Sequence, residues 1–495
     1  MYRSKLSGQI KLEIPFNVKL NPESKWVRLS NQLPWDRIDE EYEKNFKSNE
    51  GQIAKPSRLA YCALYIQTTE GFTDEKTMEH IRDNPHMQYF CGFDEYSPEP
   101  PFDASMMVHF RKRISSEMII RLTEEAFVAD ALKMMDAPEP ETVEEDAGDN
   151  SADETDAANS DAEVFPSNRG TLILDATCCP QDIKYPTDIG LMNHARELSE
   201  EIIDRLYGCI MERYSYKPRT YRKVARKDYL SYVKTRKPNA KTVRKYLRKQ
   251  LQYVSRNLKT IDGLVSNGAP LSKLPRRLYK KLLVINEAYR QQKEMYDSNV
   301  HRCDSRIVSI PQPHVRPIVR GKDSSPVEFG SKTAIGLVGG YAFITDISWD
   351  NMAEAALLPQ AAADYKRMFG FYPKAIIGDG VYPNRENRAW CSARGIRISG
   401  PALGRKSAKI KQEEAKQQYE DGCERNAVEA NFGTTKRKLN LDCIMPKLAE
   451  TSLTAVAMGF FVANMERRLR LVFSPNSGSY VFYDFDLMRL GIACF

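Results

Sequence analysis

Three carboxylate residues, Asp175, Asp379 and Glu429, stand where the sequence predicts two strand ends and a helix. Each Asp closes a short apolar run, LILD at 172–175 and IIGD at 376–379, a pattern typical of a buried strand. Glu429 lies in the helical segment RNAVEANFGTTKRKL, from which its longer side chain could reach the sheet edge. Carboxylate oxygens are the ligands that Mg²⁺ and Mn²⁺ prefer, and two such ions can promote phosphodiester cleavage. The three acids are therefore candidate catalytic and metal-binding residues, with two ions per active site.

Taken one at a time, these acids also have ordinary structural interpretations. A strand-end Asp commonly caps the following turn, and a helical Glu commonly forms an exposed ion pair. Their combined order and context favour the catalytic interpretation. Other acids lie nearby without that context, and among them Asp346, which ends a predicted strand, is the best substitute. These nearby acids are Asp182, Glu328, Asp346 and Asp350.

The elements that must position the three acids form an alternating series of strands and helices. The patterns predict a strand, a hairpin joined at Gly339-Gly340, a helix, a strand, a helix, a short strand and a final helical region. The strands are predicted at 170–177, 374–380 and 396–400, and the hairpin at 327–348. The helices are predicted at 352–369 and 384–394, and the final helical region at 413–473. Their order fits a ribonuclease-H-like α/β core, a mixed sheet with flanking helices that presents the acids at one edge.

Composition divides the rest of the chain. Residues 136–163 hold twelve Asp and Glu and no Lys or Arg, so this segment cannot bury enough apolar surface to offset the entropy of ordering it. We expect an all-α N-terminal domain that binds DNA, an acidic disordered linker, a catalytic core in two pieces, a helical insertion within that core, and a tail. The N-terminal domain covers residues 1–135 and the linker 136–168. The core covers 169–192 and 301–475, the insertion 193–300, and the tail 476–495.

The insertion carries a dense positive charge. Residues 213–259 hold seventeen Lys and Arg and one acid, Asp228, with Tyr residues interleaved. Such a surface suits the phosphate backbone of DNA, although a solvated helical hairpin with a Tyr-rich core would show the same pattern. The candidate DNA-binding residues are Arg222, Lys223, Arg226, Lys227, Arg244, Lys245, Arg248 and Lys249.

Overall composition favours a soluble, reduced, cytoplasmic protein. Of 495 residues, 42% are hydrophobic and 28% charged, and the net charge is +7. No apolar stretch has the length of a membrane span, and the N-terminus lacks the apolar region of a secretory signal. The ten cysteines include no CxxC pair, so neither a disulfide framework nor a structural zinc site is indicated.

Three ordered motifs resemble those of bacterial insertion-sequence transposases with an acidic-triad (DDE) core. LILDAT at 172–177 resembles the first-Asp motif, and IIGDGVYPNRENRAWCSARGIR at 376–397 resembles the second with its following helix. RNAVEANFGTTKRKLNL at 425–441 resembles the Glu motif. The segment VEFGSKTAIGLVGGYAFITDISWDN at 327–351 is similar to the hairpin between the Asp motifs, and FDASMMVHFRKRI at 102–114 to the end of the N-terminal domain.

The Glu motif of these relatives has the signature Tyr-x2-Arg-x3-Glu-x6-Lys. Arg425, Glu429 and Lys436 fall at the matching spacings, but Gly422 occupies the Tyr position, so a phosphate contact by that Tyr cannot be carried over. Arg425 and Lys436 lie near the face of Glu429 on a helix, where they could bind phosphates beside the scissile one. The alternative is that they simply form ion pairs that stabilise the helix.

The resemblance implies a DNA transposase that cleaves the ends of a mobile element and transfers them to target DNA. Its partners would be double-stranded DNA and a second copy of the chain, since two ends must be joined, and it would lie with the prokaryotic nucleoid. Two alternatives stay open: a nuclease with the same core that performs no strand transfer, and a catalytically inactive DNA-binding protein of transposase descent. Trp349 is either a core residue or a platform for an unpaired base.

Overall fold

A mixed six-stranded sheet lies at the centre of the fold in a computed structural model that describes residues 20–46, 52–136, 168–319, 327–401 and 408–473. Nearly all of the linker predicted at 136–168 lies outside these residues, and so does the whole tail predicted at 476–495. The strands are β1 (Thr171–Pro180), β2 (Arg316–Val319), β3 (Val327–Val338), β4 (Tyr341–Ser348), β5 (Ala375–Gly378) and β6 (Arg397–Ile398).

Strand β1 occupies the middle of the sheet. On one side it pairs antiparallel with β3, whose other edge pairs antiparallel with both β2 and β4. On its other side β1 pairs in parallel with β5, which pairs in parallel with β6. Gly339 and Gly340 both have positive φ angles and form the two-residue turn between β3 and β4, as the Gly-Gly pattern predicted.

In the described residues before the sheet, seven helices share its hydrophobic core. They are α1 (Lys25–Ser30), α2 (Trp35–Glu43), α3 (Ser57–Glu70), α4 (Asp74–Asp83), α5 (Pro85–Phe90), α6 (Met106–Arg113) and α7 (Ser116–Asp136). Buried side chains of this helical region, such as Tyr61 and Phe127, belong to the same cluster as Leu172 and Leu174 of β1. The N-terminal region therefore packs directly on the sheet and on the C-terminal helix described below.

Four helices form the insertion between β1 and β2 and have a separate hydrophobic core. They are α8 (Asp188–Ile210), α9 (Arg222–Val233), α10 (Ala240–Ser266) and α11 (Arg276–Ser298), with 3₁₀ turns at Met211–Arg213 and Leu271–Lys273. The apolar stripe of α10 repeats at helical spacing and faces α8 and α11. Asp188, at the start of α8, accepts hydrogen bonds from Gln292 (3.1 Å) and Arg306 (2.6 Å), so the insertion begins and ends at one place.

The remaining helices flank the sheet. A 3₁₀ turn at Glu354–Leu357 leads into α12 (Leu358–Phe369), and α13 (Arg385–Ser392), α14 (Ala408–Lys438) and α15 (Ala449–Val472) follow. Helix α15 is buried along most of its length, and Asn464 exchanges hydrogen bonds of 2.8 and 2.9 Å with the backbone of Ala342 in β4. None of the helices in the described parts of the chain is long and apolar enough to cross a membrane.

Three features differ from the sequence-based prediction. Strand β1 ends at Pro180, three residues beyond the predicted 177, so Asp175 lies within the strand and not at its carboxyl end. The reason is that β3 provides an antiparallel partner as far as Pro180 after the β5 ladder has ended. Strand β2 was not predicted, since its sequence, RPIV, contains a proline and has no continuous apolar run. The insertion helices begin at Asp188 and not at 193. Helix α8 starts there because Thr187 accepts a hydrogen bond from the Gly190 amide and caps the helix.

A buried ion pair joins the N-terminal helices to α15. Arg468 donates to Asp130 at 2.6 Å, and both side chains are almost wholly buried. Removing one partner leaves the other charge buried without its counter-ion, so we expect Asp130→Ala to lower the free energy of unfolding by about 3–5 kcal/mol. Denaturant titration would measure this. Glu125→Ala, which breaks an exposed pair with Arg37, is the control and should cost less than about 1 kcal/mol. Equal effects of both variants would contradict the prediction.

Candidate active site

The two Asp residues of the predicted triad follow paired positions on neighbouring parallel strands. Leu174 of β1 pairs with Gly378, the last residue of β5. Asp175 is the next residue of β1, and Asp379 is the first residue after β5. Neighbouring strands lie about 4.8 Å apart, so the register brings the two carboxylates side by side. Each carboxylate accepts a hydrogen bond from the amide of the residue that follows it, at 2.7 Å for Asp175 and 2.6 Å for Asp379. The local backbone thereby fixes both side chains.

Helix α14 covers the face of the sheet from which these two carboxylates project. Alternate residues of a strand share a face, so Ile173 lies on the face of Asp175 and Ile377 on the face of Asp379. Both isoleucines belong to a hydrophobic cluster that contains Val428 of α14. Burying Val428 places the next residue of the helix, Glu429, at the margin of the same cluster.

One guanidinium group links the helix to the sheet edge. Arg425 donates to the Oδ1 atom of Asp379 through Nη1 at 3.4 Å and to the Oε1 atom of Glu429 through Nη2 at 3.0 Å. These two carboxylates are therefore no farther apart than the span of one guanidinium and two hydrogen bonds. The structure thus places Asp379, Arg425 and Glu429 in contact, with Asp175 beside Asp379 on the neighbouring strand.

The site is a region of concentrated negative charge. Burial, and to a smaller extent the charges of Glu354 and Asp379, raise the pKa of Asp175 to about 6, although the Ala176 amide and Arg425 oppose the shift. Burial and the charges of Glu354, Asp175 and Asp379 also raise the pKa of Tyr382. A cation would relieve this repulsion. In the described residues, however, no three His, Cys, Asp or Glu side chains are already arranged around a common metal position.

Glu354 is an acid of this site that sequence reasoning missed. It lies in the 3₁₀ turn before α12 and forms a 2.7 Å ion pair with Lys332 of β3. Lys332 also donates to the Asn351 side chain at 3.3 Å and to the Met352 carbonyl at 3.1 Å, which holds the connecting segment against the sheet. No local pattern marks such a residue, because its place depends on contacts made by a distant strand.

The tyrosine beneath the two Asp residues fits because of a glycine. A Cβ atom on Gly378 would lie 2.6 Å from the Tyr382 ring, so any larger residue there would displace the ring. The Tyr382 amide donates to the Asp379 carbonyl at 3.0 Å, and its own carbonyl accepts from Asn387 at 2.8 Å. This packing gives a firm base to the loop that carries Asp379.

Lys436, the second cation of the Glu motif, lies apart from the acids. It is close enough to the second half of β1 for its charge to act on Cys178 and Cys179. Burial raises the pKa of Cys179 to about 11, and Lys436 partly opposes that shift. Arg425 therefore contacts the acids, and Lys436 lies farther along the same surface. The alternative acids are elsewhere: Asp346 lies on β4, two strands from β1, and Asp350 is highly exposed.

Several cations of the insertion are exposed, and others are held by acids. Arg222 forms two hydrogen bonds with Asp204, at 2.8 and 3.0 Å, and Lys249 pairs with Asp228 at 2.8 Å. Arg244 lies over the ring of Tyr296. The other five candidate DNA-binding residues have exposed positions on α9 and α10, and the ion pairs found in the described residues include none of them. They are Lys223, Arg226, Lys227, Lys245 and Arg248.

Three consecutive basic residues, Arg111, Lys112 and Arg113, end helix α6 in the N-terminal region, and the two arginines make contacts within the protein. Arg111 is buried and bonds with Asp74 and, at 2.9 Å, with Gln67. The Arg113 guanidinium lies 4.7 Å from the centre of the Phe46 ring. Most of this charge therefore holds helices together and is not presented to a DNA backbone. Trp349 packs edge-on against His314 with 4.4 Å between ring centres, in a partly buried position.

Comparison with known proteins gives two family matches. Residues 376–466 match a family described as "Transposase DDE domain", and residues 15–113 match "Transposase domain (DUF772)". The chain is also 36% identical over 125 residues to an uncharacterized protein, ORF8 in the nfe locus of Rhizobium meliloti. That alignment covers 25% of this chain and 59% of the relative, so the chain spans less than two thirds of the relative's length. No solved structure matches the chain significantly.

Proposed function

We propose that the chain is an insertion-sequence transposase with a DDE domain, which cuts DNA at the ends of a mobile element and joins them to target DNA. The observation that carries this proposal is that Arg425 joins Asp379 to Glu429 of α14, while the β1–β5 register places Asp175 beside Asp379. The first family match includes Asp379, Arg425 and Glu429.

The strand arrangement supports a ribonuclease-H-like identity for the core. Setting β2 and the insertion aside, the order across the sheet is β4, β3, β1, β5 and β6, in which β3 alone is antiparallel to both of its neighbours. This is a strand hairpin followed by two parallel crossovers, with the first Asp on the central strand. The division into an N-terminal region, a core and a basic insertion belongs to the same proposal.

The donor set fits a hard divalent cation. Asp175, Asp379 and Glu429 offer oxygen ligands only, and the ion pairs of Arg425 with Asp379 and Glu429 support a site that attracts positive charge. We assign these three acids as the residues that would hold Mg²⁺ or Mn²⁺, with two ions in each active site. When bound, the ions would supply charge stabilisation for both the attacking and the leaving oxygen.

The residues of this chain then have separate tasks. The register of β1 and β5 holds Asp175 and Asp379 rigidly, and α14 sets the position of Glu429. Arg425 and Lys436 bind phosphates on either side of the scissile one. Both chemical steps are in-line displacements at phosphorus: water attacks at the element end and releases a 3′ hydroxyl, which then attacks target DNA. Neither step forms a covalent bond between protein and DNA.

The direct test is to incubate the purified chain with labelled DNA that contains the element's ends and with target DNA, in the presence and absence of Mg²⁺ or Mn²⁺. Metal-dependent cleavage followed by joining supports a transposase. Cleavage without joining indicates a nuclease with the same core. Binding without cleavage, at any metal concentration, indicates an inactive DNA-binding descendant. Since two ends must be joined, the active form is proposed to be a homodimer on DNA.

Arg425 gives a prediction that separates metal binding from catalysis. Its ion pairs with Asp379 and Glu429 compete with a metal ion for the same oxygens. We expect Arg425→Gln to tighten Mn²⁺ binding to the free protein, by a few-fold and at most about tenfold, because such partly exposed pairs are weak. Cleavage of DNA should nevertheless fall, because a phosphate contact is lost.

Calorimetric titration with Mn²⁺ and the cleavage assay would measure the two effects. Arg437→Gln is a suitable control, since Arg437 lies on the same helix and donates to the carbonyl of Gly433 in its own helix. Weaker Mn²⁺ binding by the Arg425 variant would contradict competition between the guanidinium and the ion.

A further inference from the structure

Helix α14 is attached to the sheet at very few points before Glu429. It runs for 31 residues, Ala408–Lys438, yet among the side chains described between 412 and 429 only Asp421 and Val428 are buried. A helix that must place a carboxylate accurately would normally be held by an apolar stripe along its length. The helix is held again just after Glu429, where Phe432 joins the same cluster as Val428. The described stretch before Val428 therefore depends mainly on Asp421, whose contact is ionic.

The ionic contact is a two-point pair with the edge strand β6. Arg397 donates to Asp421 through Nη1 at 2.7 Å and through Nη2 at 2.8 Å, and the Asp421 side chain is only 4% exposed. Gln417, one turn earlier, donates to the same carboxylate at 3.3 Å. Paired donors of a guanidinium fix both the distance and the orientation of a carboxylate, which a single bond does not. Rotation of α14 about its own axis is thereby resisted at this point.

The spacing along α14 connects this pair to the candidate active site. Asp421, Arg425 and Glu429 are separated by four residues each, so they follow one another on nearly the same side of the helix. Asp421 bonds to β6, and Arg425 reaches Asp379, which follows β5, the neighbour of β6. A turn of the helix that broke the first contact would also swing Glu429 away from the two Asp residues.

We propose that the Arg397–Asp421 pair is a positioning device that holds Glu429 over Asp175 and Asp379. This proposal rests on the proposed function, because it assigns to the pair the task of completing the metal-binding set. Neither residue touches substrate or metal. Their effect passes through the rotation and distance of α14 relative to the sheet.

The test is Asp421→Asn, which keeps the size of the side chain and removes its charge. Partners that orient metal ligands typically change metal affinity by about 10–100-fold when they are replaced, so we expect the Mn²⁺ concentration for half-maximal binding to rise by at least about tenfold. The double variant Arg397→Asp with Asp421→Arg re-creates the pair in reverse and should recover much of the loss. The matched control is Glu124→Gln, which breaks the two-point pair between Arg367 and Glu124 at 2.7 and 2.8 Å.

A second measurement reports the motion of α14 in the absence of metal and DNA. Cys423 is exposed on α14 beside the pair, so a nitroxide attached there, with the other accessible cysteines replaced by Ser, reports the motion of this segment. Asp421→Asn should increase its mobility, and Glu124→Gln should not. Unchanged mobility together with unchanged Mn²⁺ affinity would overturn the positioning role. If the unaltered chain binds no Mn²⁺ through Asp379, the proposed function fails, and the nitroxide alone then decides whether the pair positions the helix.

Discussion

Replacing Asp379 by Asn is expected to lower the rate of DNA cleavage by roughly a thousandfold or more, because several kcal/mol of charge stabilisation depend on its carboxylate. Binding to the element's ends should be largely unchanged, since it rests mainly on Lys and Arg contacts with phosphate. The fold should also survive, because an Asn side chain can still accept the hydrogen bond from the Gly380 amide. Cleavage and gel-shift assays on the same preparations would measure the two quantities.

Asp346→Asn is a closely matched control for this variant. Asp346 also accepts a hydrogen bond from the amide of the next residue, Ile347, at 2.9 Å, but it lies on β4, away from the cluster of acids. We expect this control to cleave normally. Equal losses of binding and cleavage in the Asp379 variant would indicate a structural role for that residue. Normal cleavage would exclude it as a metal ligand.

A second large effect is expected from the basic surface of α9 and α10. A variant with Gln at four exposed positions should bind DNA more weakly regardless of sequence. Each phosphate contact contributes about 0.9 to the slope of log affinity against log salt concentration, so the slope should become shallower by about 3–4 units if all four contacts exist. The four positions are Lys223, Arg226, Lys245 and Arg248, which have no ion-pair partner in the part of the chain that the structure describes.

The choice of these residues follows from the contacts of their neighbours. Arg222 and Lys249 also belong to the candidate surface, but their ion pairs with Asp204 and Asp228 would change along with any DNA contact and obscure the result. A control variant removes the same number of charges elsewhere in the insertion, at Lys273, Arg276, Arg277 and Lys280. Titrations of a labelled element end at several salt concentrations would compare the three proteins. Identical slopes would mean that α9 and α10 face solvent or another protein.

Local sequence pattern was sufficient to predict that Asp175 and Asp379 lie at neighbouring strands of the sheet. Short apolar runs predict β1 and β5, and a parallel register follows once both strands are recognised as neighbours in a mixed sheet. Asp175 and Asp379 could therefore be expected side by side. The contact between Arg425 and Glu429 could also be predicted from the sequence, because residues four apart on a helix are neighbours. The role of these residues in catalysis stays a prediction.

Other parts of the site depend on contacts that no local pattern encodes. Glu354 belongs to the acidic cluster because Lys332, on a strand earlier in the chain, holds its turn against the sheet. Asp421 is buried because Arg397 meets it from the sheet edge. The charge of Arg111 is visible in the sequence, but its burial against Asp74 is not, and this burial makes the residue unsuitable as part of a DNA-binding surface.

The shared core of the N-terminal helices, the sheet and α15 has a consequence for how the chain folds as it is synthesised. Residues as early as Trp26 and as late as Met465 belong to one hydrophobic cluster, so this core cannot close until α15 has left the ribosome. The insertion differs, because α8 to α11 are contiguous in sequence and bury a core of their own. It can therefore fold while the rest of the chain is still being made, since contiguous units fold as they emerge. A gene copy interrupted before α15 would therefore yield a folded basic insertion attached to an open core.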